Sequence, residues 1–110
     1  MKHLPQPFFA VRTLRSGRTL LELGGECDAG SLQALNEALT DAVEQPAKEI
    51  VVNLEKATFL DSLALGALTA AAKRARVQGR AFRVIRPKPA IRRTIEIAGL
   101  ANYLLAFDAP

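Results

Sequence analysis

The chain begins with two short stretches of β-forming residues separated by a turn signal. Residues 8–14 and 18–23 combine aromatic, β-branched and leucine side chains, which favour strands. Between them, Gly17 can take the positive φ that a tight hairpin turn requires. Residues 24–30 contain three glycines and show no regular hydrophobic period. The pattern therefore predicts an N-terminal hairpin followed by a loop.

The pattern then changes to helical spacing and back to a strand. Apolar residues recur every three or four positions over residues 32–43, which predicts a helix with Ser31 as its N-cap. Residues 48–54 contain a β-branched run that is typical of a strand covered on both faces. We interpret residues 55–60 as a connection between this strand and the next helix. The stripe of the first helix consists of Leu32, Leu35, Leu39 and Val43.

The second half of the chain repeats the alternation of helix and strand. An alanine- and leucine-rich helix is predicted over residues 62–78, with Gly79 at its C-terminal end. Residues 80–85 follow as a short strand. A third helix begins with Pro89, a favoured first helical residue, and ends at Gly99. Each of these helices therefore has a recognisable stop signal.

The predicted elements follow the order β-β-α-β-α-β-α-β, with a last strand over residues 103–107. Strands that alternate with helices are joined by right-handed crossovers and form parallel pairs. We predict an α/β fold with a single open mixed β-sheet. In this fold an N-terminal hairpin precedes largely parallel strands, and about three to four helices pack on the sheet. Residues 1–110 suffice for one domain, in which residues 1–7 are predicted to form a flexible lead-in.

Charge is distributed unevenly along the chain. The net charge is +4, but residues 1–61 have a net charge of −3 and residues 62–110 a net charge of +7. All nine cations of the second part lie within residues 73–93. Two interpretations stay open: a well-solvated basic face, or an electrostatic docking surface for an acidic partner. Nucleic-acid binding by these cations is a third hypothesis, but direct binding is not expected, because this segment has a single aromatic residue, Phe82, and no recognisable binding motif.

The reactive side chains that most enzymes use are scarce. His3 is the only histidine and Cys27 the only cysteine, so neither a catalytic triad nor a Cys/His metal site is expected. We therefore expect no catalytic activity, no metal and no cofactor. A single cysteine fits a reducing compartment, and the longest nearly apolar run, residues 63–72, is about half of a membrane span. We expect a cytoplasmic protein that does not insert into membranes.

The most informative stretch is the start of the second predicted helix. A hydroxyl on Ser62 would lie beside unpaired backbone N–H groups at the positive end of the helix dipole, which favours an added phosphate. Ser62 is therefore a candidate phosphorylation site. A purely structural role is the alternative, because Asp61 and Ser62 are both ordinary residues for a helix N-terminus. Gly66 costs about 1 kcal/mol relative to alanine inside a helix, which predicts that the sheet or a partner passes close to it.

This stretch resembles the core of STAS domains, the family of bacterial anti-sigma-factor antagonists. In that family a strand precedes a Phe-apolar-Asp-Ser-Ser-Gly-Leu-Gly stretch that opens a helix. Residues 59–62 and 65–66 match this stretch, while residues 63–64 have Leu-Ala in place of the usual Ser-Gly. Residues 25–28 are similar to the family's Gly-Glu-Leu-Asp loop. The resemblance covers residues 8–107 and implies the STAS fold.

The resemblance also implies a protein-binding module that is switched by phosphorylation. Its partner would be an anti-sigma factor with a histidine-kinase-like ATPase fold. As the resemblance implies, that kinase would phosphorylate Ser62, its affinity for the module would fall, and a serine phosphatase would reverse the change. The alternative is a constitutive scaffold or regulatory subunit, in a lipid-transport ABC complex or a stressosome-like multi-STAS assembly, in which Ser62 only caps a helix. The residues implied in partner binding are Asp28, Asp61, Ser62, Leu63, Leu65 and Gly66.

Overall fold

The computed structural model describes residues 8–14 and 16–105. The predicted lead-in over residues 1–7 lies outside this part of the chain. A 3₁₀ turn over Ala29–Ser31 precedes the first helix. The elements in chain order are β1 (Phe8–Thr13), β2 (Arg18–Cys27), α1 (Leu32–Glu44), β3 (Glu49–Leu60), α2 (Ser62–Val77), β4 (Ala81–Ile85), α3 (Pro89–Ile97) and α4 (Ala101–Leu104).

The strands form one mixed sheet in the order β1-β2-β3-β4. The strands β1 and β2 pair antiparallel as a hairpin, whereas β2, β3 and β4 run parallel. The helices α1 and α2 connect the parallel strands and pack side by side. This is an open mixed sheet that begins with a hairpin and is covered by helices, so the predicted fold class is confirmed.

Both predicted glycine stops are confirmed. Gly79 after α2 and Gly99 after α3 have φ angles of +75°, in the left-handed region that favours glycine. The backbone N–H groups of Arg80 and Leu100 then donate to carbonyls of the helix that has just ended, each at 3.0 Å. These bonds satisfy carbonyls that a helix end otherwise leaves unpaired.

The strands β2 and β3 are longer than predicted. The sequence pattern ends them at residues 23 and 54, but the two strands stay paired as far as Cys27 and Leu60. Two register shifts interrupt the pairing around Gly24 and Gly25. The expected loop after residue 23 is therefore wrong, because irregular strand pairing accommodates the glycines that we interpret as loop signals.

The predicted C-terminal strand over residues 103–107 is also wrong. The chain forms the short helix α4 there, and Leu105 joins the sheet only through an isolated parallel bridge to Val84. A short apolar run fits a buried strand or a buried helix equally well, and here Leu104 reaches the core from a helix. The predicted residues beyond Leu105 lie outside the described part of the chain.

A single hydrophobic core lies between the sheet and the helices. Alternate residues of β2, β3 and β4 point into it, and so does one side of α2. The opposite side of α2 is exposed along the whole helix, which leaves the N-terminal residues of α2 accessible at one end of the molecule. Large side chains that are fully buried in this core include Leu21, Leu39, Val52, Leu68 and Phe82.

Candidate functional site

The candidate site lies where β2 and β3 end side by side. Cys27 and Leu60, the last residues of the two strands, are paired in register. Asp28 and Asp61 follow them directly, so both acidic residues lie at the same edge of the sheet. The backbone N–H of Asp61 donates to the carbonyl of Cys27 at 3.1 Å and joins the two strand ends. The fold thus brings together two residues that sequence spacing alone does not relate.

Asp61 is the N-cap of α2. Its backbone is extended, and its Oδ1 accepts a hydrogen bond from the N–H of Ala64 at 2.9 Å. This bond satisfies one of the N–H groups that the first helical turn leaves unpaired. The carboxylate also lies near the positive end of the helix dipole. Asp61 therefore fixes the residue at which the helix begins.

Ser62 is the first residue of α2, and it is exposed. Within residues 8–14 and 16–105, its hydroxyl has no hydrogen-bond partner, and the backbone N–H groups of Ser62 and Leu63 have no acceptor. An oxyanion attached to the hydroxyl would thus find free donors and a favourable dipole beside it.

Asp28 begins the 3₁₀ turn that leads into α1. Its Oδ1 accepts from the N–H of Gly30 at 2.9 Å, and its own N–H donates to the hydroxyl of Ser31 at 3.1 Å. Together they form a capping box around this turn. Ser31 is the N-cap residue of α1, as predicted, but its hydroxyl bonds within the preceding turn and makes no cap bond to α1.

Two exposed apolar side chains lie within three residues of Ser62 in the sequence. Leu63 is 52% exposed and Phe59 is 48% exposed. Gly66, about one turn further along α2, is exposed as well. A Cβ at Gly66 would have no atom of the described residues outside its own helix turn within 4 Å, so the sheet is not the close neighbour, and a partner stays as the alternative. An exposed apolar surface beside two carboxylates is typical of a protein-binding site.

The burial of Leu65 contradicts its inclusion in the partner surface. Leu65 is only 4% exposed and belongs to the hydrophobic core, because residues of a helix follow one another at about 100° and its position faces the sheet. Conversely, Phe59 belongs to the motif, but the motif does not assign it to the site. No local signal distinguishes exposed Phe59 from its buried neighbour Leu60, since the sequence pattern predicts a connection over residues 55–60, where the structure has a strand.

Burial and two nearby carboxylates determine the protonation state of the Cys27 thiol at this site. The pKa of the Cys27 thiol is raised from 9.0 to about 11, chiefly by burial and in addition by the negative charges of Asp28 and Asp61. The thiol therefore stays protonated near neutral pH and is a poor nucleophile. In the described residues no group of three or more His, Cys, Asp or Glu side chains could hold a metal ion.

The nine cations of residues 73–93 fall into two groups: those whose side chains are bonded to other described residues, and those whose side chains are not. Arg76 donates to the carbonyl of Phe82 at 3.0 Å, and Arg80 donates to the carbonyl of Gln45 at 2.8 Å. Arg83, Arg86 and Lys88 are bonded to acidic residues or their carbonyls on β3. Structural roles thus account for five of the nine cations. The remaining four cations of the segment are exposed, and their side chains have neither a hydrogen bond nor an ion pair to another described residue: Lys73, Arg74, Arg92 and Arg93.

The model of the STAS domain family matches residues 10–109 of the chain. The chain therefore belongs to the STAS domain family, as the resemblance predicts. Its curated relatives include the anti-sigma-B factor antagonist of Staphylococcus aureus, which is 29% identical over 84 residues. That match covers 76% of this chain and 78% of the relative.

Solved structures agree with this family and show the same fold. An anti-sigma factor antagonist from Mycobacterium paratuberculosis matches with a TM-score of 0.82 at 24% identity, over 94% of this chain and 87% of that one. The anti-sigma factor antagonist SpoIIAA in its unphosphorylated form matches with a TM-score of 0.76 at 19% identity, over 92% and 90% of the two chains. The phosphorylated form of SpoIIAA, from Bacillus, gives a TM-score of 0.70 at 19% identity, over 92% and 93%.

Membrane association through a spanning helix finds no support in the fold. Within the part of the chain that the structure describes, none of the helices has both the length and the apolar character that a membrane span needs.

Proposed function

We propose that this chain is an anti-sigma-factor antagonist whose binding to a protein partner is switched by phosphorylation of Ser62. The observation that carries the proposal is the position of Ser62. It is the exposed first residue of α2, its hydroxyl has no hydrogen-bond partner among the described residues, and backbone N–H groups beside it have no acceptor. The family membership and the names of the relatives support the same function.

The proposed partner is an anti-sigma factor that is also a serine kinase with a histidine-kinase-like ATPase fold. A serine phosphatase would remove the phosphate and restore binding. SpoIIAA is known in an unphosphorylated and a phosphorylated form, which supports a comparable modification here. The chain itself would act by binding alone, in the cytoplasm and without catalytic activity, cofactor or nucleic acid.

The proposed partner surface combines a charged edge with an apolar one. Asp28 and Asp61 provide the negative edge, and Ser62 lies next to them. Leu63 and Gly66 continue the surface along α2 with an exposed side chain and an open backbone. Leu65 is left out, because it is buried. A partner that fits this surface would present an apolar patch, with donors or cations opposite the carboxylates.

Phosphorylation would change the charge of this surface without disturbing the fold. A phosphate adds a charge of about −1.5 to −2 at neutral pH. The helix N-terminus stabilises a negative charge by about 0.3–1 kcal/mol at an exposed position, while the carboxylates of Asp28 and Asp61 oppose it. The phosphate would nevertheless repel an apolar or acidic partner surface. A coupling of about 1–3 kcal/mol would change the affinity by about 5–150-fold.

A constitutive STAS scaffold is the second candidate function, and one observation favours it. Leu63 replaces the serine that usually follows the phosphorylated residue in this family, and its side chain is 52% exposed. A bulky apolar side chain next to Ser62 restricts the approach of a kinase and enlarges a permanent apolar contact. In this alternative the chain would be a subunit of a lipid-transport ABC complex or of a stressosome-like assembly.

Partner capture by Ser62 variants tests the proposal. The tagged chain is recovered from its bacterial host, the co-purifying kinase is identified by mass spectrometry, and its affinity is measured for wild type, Ser62→Ala and Ser62→Asp. We expect Ser62→Ala to bind like wild type and Ser62→Asp to bind more weakly. Ser16→Asp is the matched control, because it adds the same charge at another exposed serine. Equal affinity of all four proteins would falsify the switch and leave the scaffold.

A further inference from the structure

The two helices that pack side by side, α1 and α2, carry opposite charges. The helix α1 has three carboxylates and no cation, whereas α2 has three cations and no carboxylate. The carboxylates of Glu37, Asp41 and Glu44 are spaced four and three residues apart, so they share one exposed side of α1. We call these three residues the acidic face of α1. On α2, the exposed cations Lys73 and Arg74 lie near the C-terminal end.

Within the part of the chain that the structure describes, these charges are not neutralised by ion pairs. Glu37 accepts only a long hydrogen bond of 3.4 Å from the amide of Gln33, and Asp41 accepts one of 3.0 Å from the amide of Gln45. None of the three carboxylates of the acidic face forms an ion pair with any residue that the structure describes. The same is true of Lys73 and Arg74. Both faces are thus available for charges outside the chain.

The two faces also differ in shape. A shallow groove of about 560 Å³ runs along α1 between the acidic face and the half-buried Leu32. On α2, by contrast, Val77 projects from the surface with 80% of its side chain exposed. Val77 lies four residues after Lys73, so the apolar side chain and the cation point the same way. We call Lys73, Arg74 and Val77 the basic end of α2.

We propose that the partner of these two faces is a second copy of this chain, and that the acidic face of α1 in one copy binds the basic end of α2 in the other. Because α1 and α2 are neighbours, a two-fold rotation makes this contact twice, and the interface closes as a dimer rather than growing into a chain. Val77 enters the groove of the other copy, and Lys73 and Arg74 meet its carboxylates. The inference does not depend on the switch at Ser62.

The association is expected to be weak and sensitive to salt. Exposed ion pairs contribute little individually, so dissociation constants between about 10 μM and about 1 mM are expected. Salt at about 1 M shortens the screening length to about 3 Å and weakens attraction between exposed charges. Sedimentation velocity of the full chain, from micromolar to millimolar concentration at low and high salt, measures both effects. We expect a dimer that dissociates when salt is added.

Charge reversal at either face tests the contact itself. We expect Glu37→Lys/Asp41→Lys and Lys73→Glu/Arg74→Glu each to raise the dissociation constant about tenfold or more, because like charges then oppose each other. An equimolar mixture of the two variants should regain dimers, since both contacts between the two different chains then join opposite charges. Arg92→Glu/Arg93→Glu is the matched control, with the same change of net charge on α3, and should dimerise like wild type.

The outcomes separate the inference from its competitors. A wild-type chain that stays monomeric at every concentration and salt would overturn it and leave the basic end of α2 for an unrelated acidic partner. A dimer that survives both reversals would place the interface elsewhere. Failure of the mixed variants to associate, with each variant folded by circular dichroism, would show that the two faces do not bind one another.

Discussion

Replacing Asp61 by alanine should destabilise the fold, whereas replacing the adjacent Ser62 should not. The Asp61 carboxylate accepts the N–H of Ala64 at 2.9 Å, and the alanine variant leaves that donor without this partner. Loss of an N-cap costs about 1 kcal/mol, which corresponds to a decrease in Tm of about 4–8 °C for a domain of this size. The Ser62 hydroxyl makes no bond within the described residues, so Ser62→Ala should change stability by less than about 0.5 kcal/mol.

Urea unfolding followed by circular dichroism measures both effects. Asp61→Asn is the control, because its side-chain oxygen can still accept the N–H of Ala64 and should preserve most of the stability. A loss of stability in Ser62→Ala as large as that in Asp61→Ala would refute the reasoning. It would mean that the Ser62 hydroxyl has a structural bond and is not free for modification.

Four further predictions concern the rest of the fold. Gly24→Ala should lower the stability by about 1–3 kcal/mol in urea unfolding, because the new Cβ would lie 1.8 Å from the ring of Phe8; an unchanged midpoint would show that the ring moves freely aside. The Cys27 thiol, whose pKa is raised from 9.0 to about 11 chiefly by burial, should react with a thiol reagent at pH 8 only after denaturation. The unfolded chain releases this proton at lower pH than the folded chain does. The free energy of unfolding that the thiol contributes, measured relative to Cys27→Ala, should therefore fall between about pH 9 and about pH 11. An increase over this pH range would contradict the prediction. Arg80→Ala should destabilise by about 2 kcal/mol, since Arg80 donates to two backbone carbonyls at the end of α1, and a neutral effect in thermal unfolding would contradict that role.

Local signals in the sequence were sufficient for much of this structure. Gly79 and Gly99 mark helix ends because a left-handed residue is needed there, and that requirement depends only on the adjacent turn. Asp61 and Ser62 mark the start of α2 for an equally local reason, since a cap bonds within its own turn. The candidate phosphorylation site was therefore predictable as a position, although its modification is a proposal.

Features that depend on distant parts of the chain were not predictable in the same way. Glu26 pairs with Phe59 across β2 and β3, and no pattern within either segment specifies that pairing. The approach of Asp28 to Asp61 results from the same extension of the two strands. Leu65 could be taken for a contact residue because a motif records residue types and not the direction in which each side chain points.

Phosphosite mapping of the protein purified from its bacterial host tests the central claim most directly. Intact-mass spectrometry across growth and stress conditions, followed by peptide mapping, should show a fraction of chains with one phosphate, located on Ser62. A phosphate on another residue, or none in any condition, would contradict the proposed switch. In that case the exposed surface of Ser62, Leu63 and Gly66 would function as the permanent contact of a scaffold.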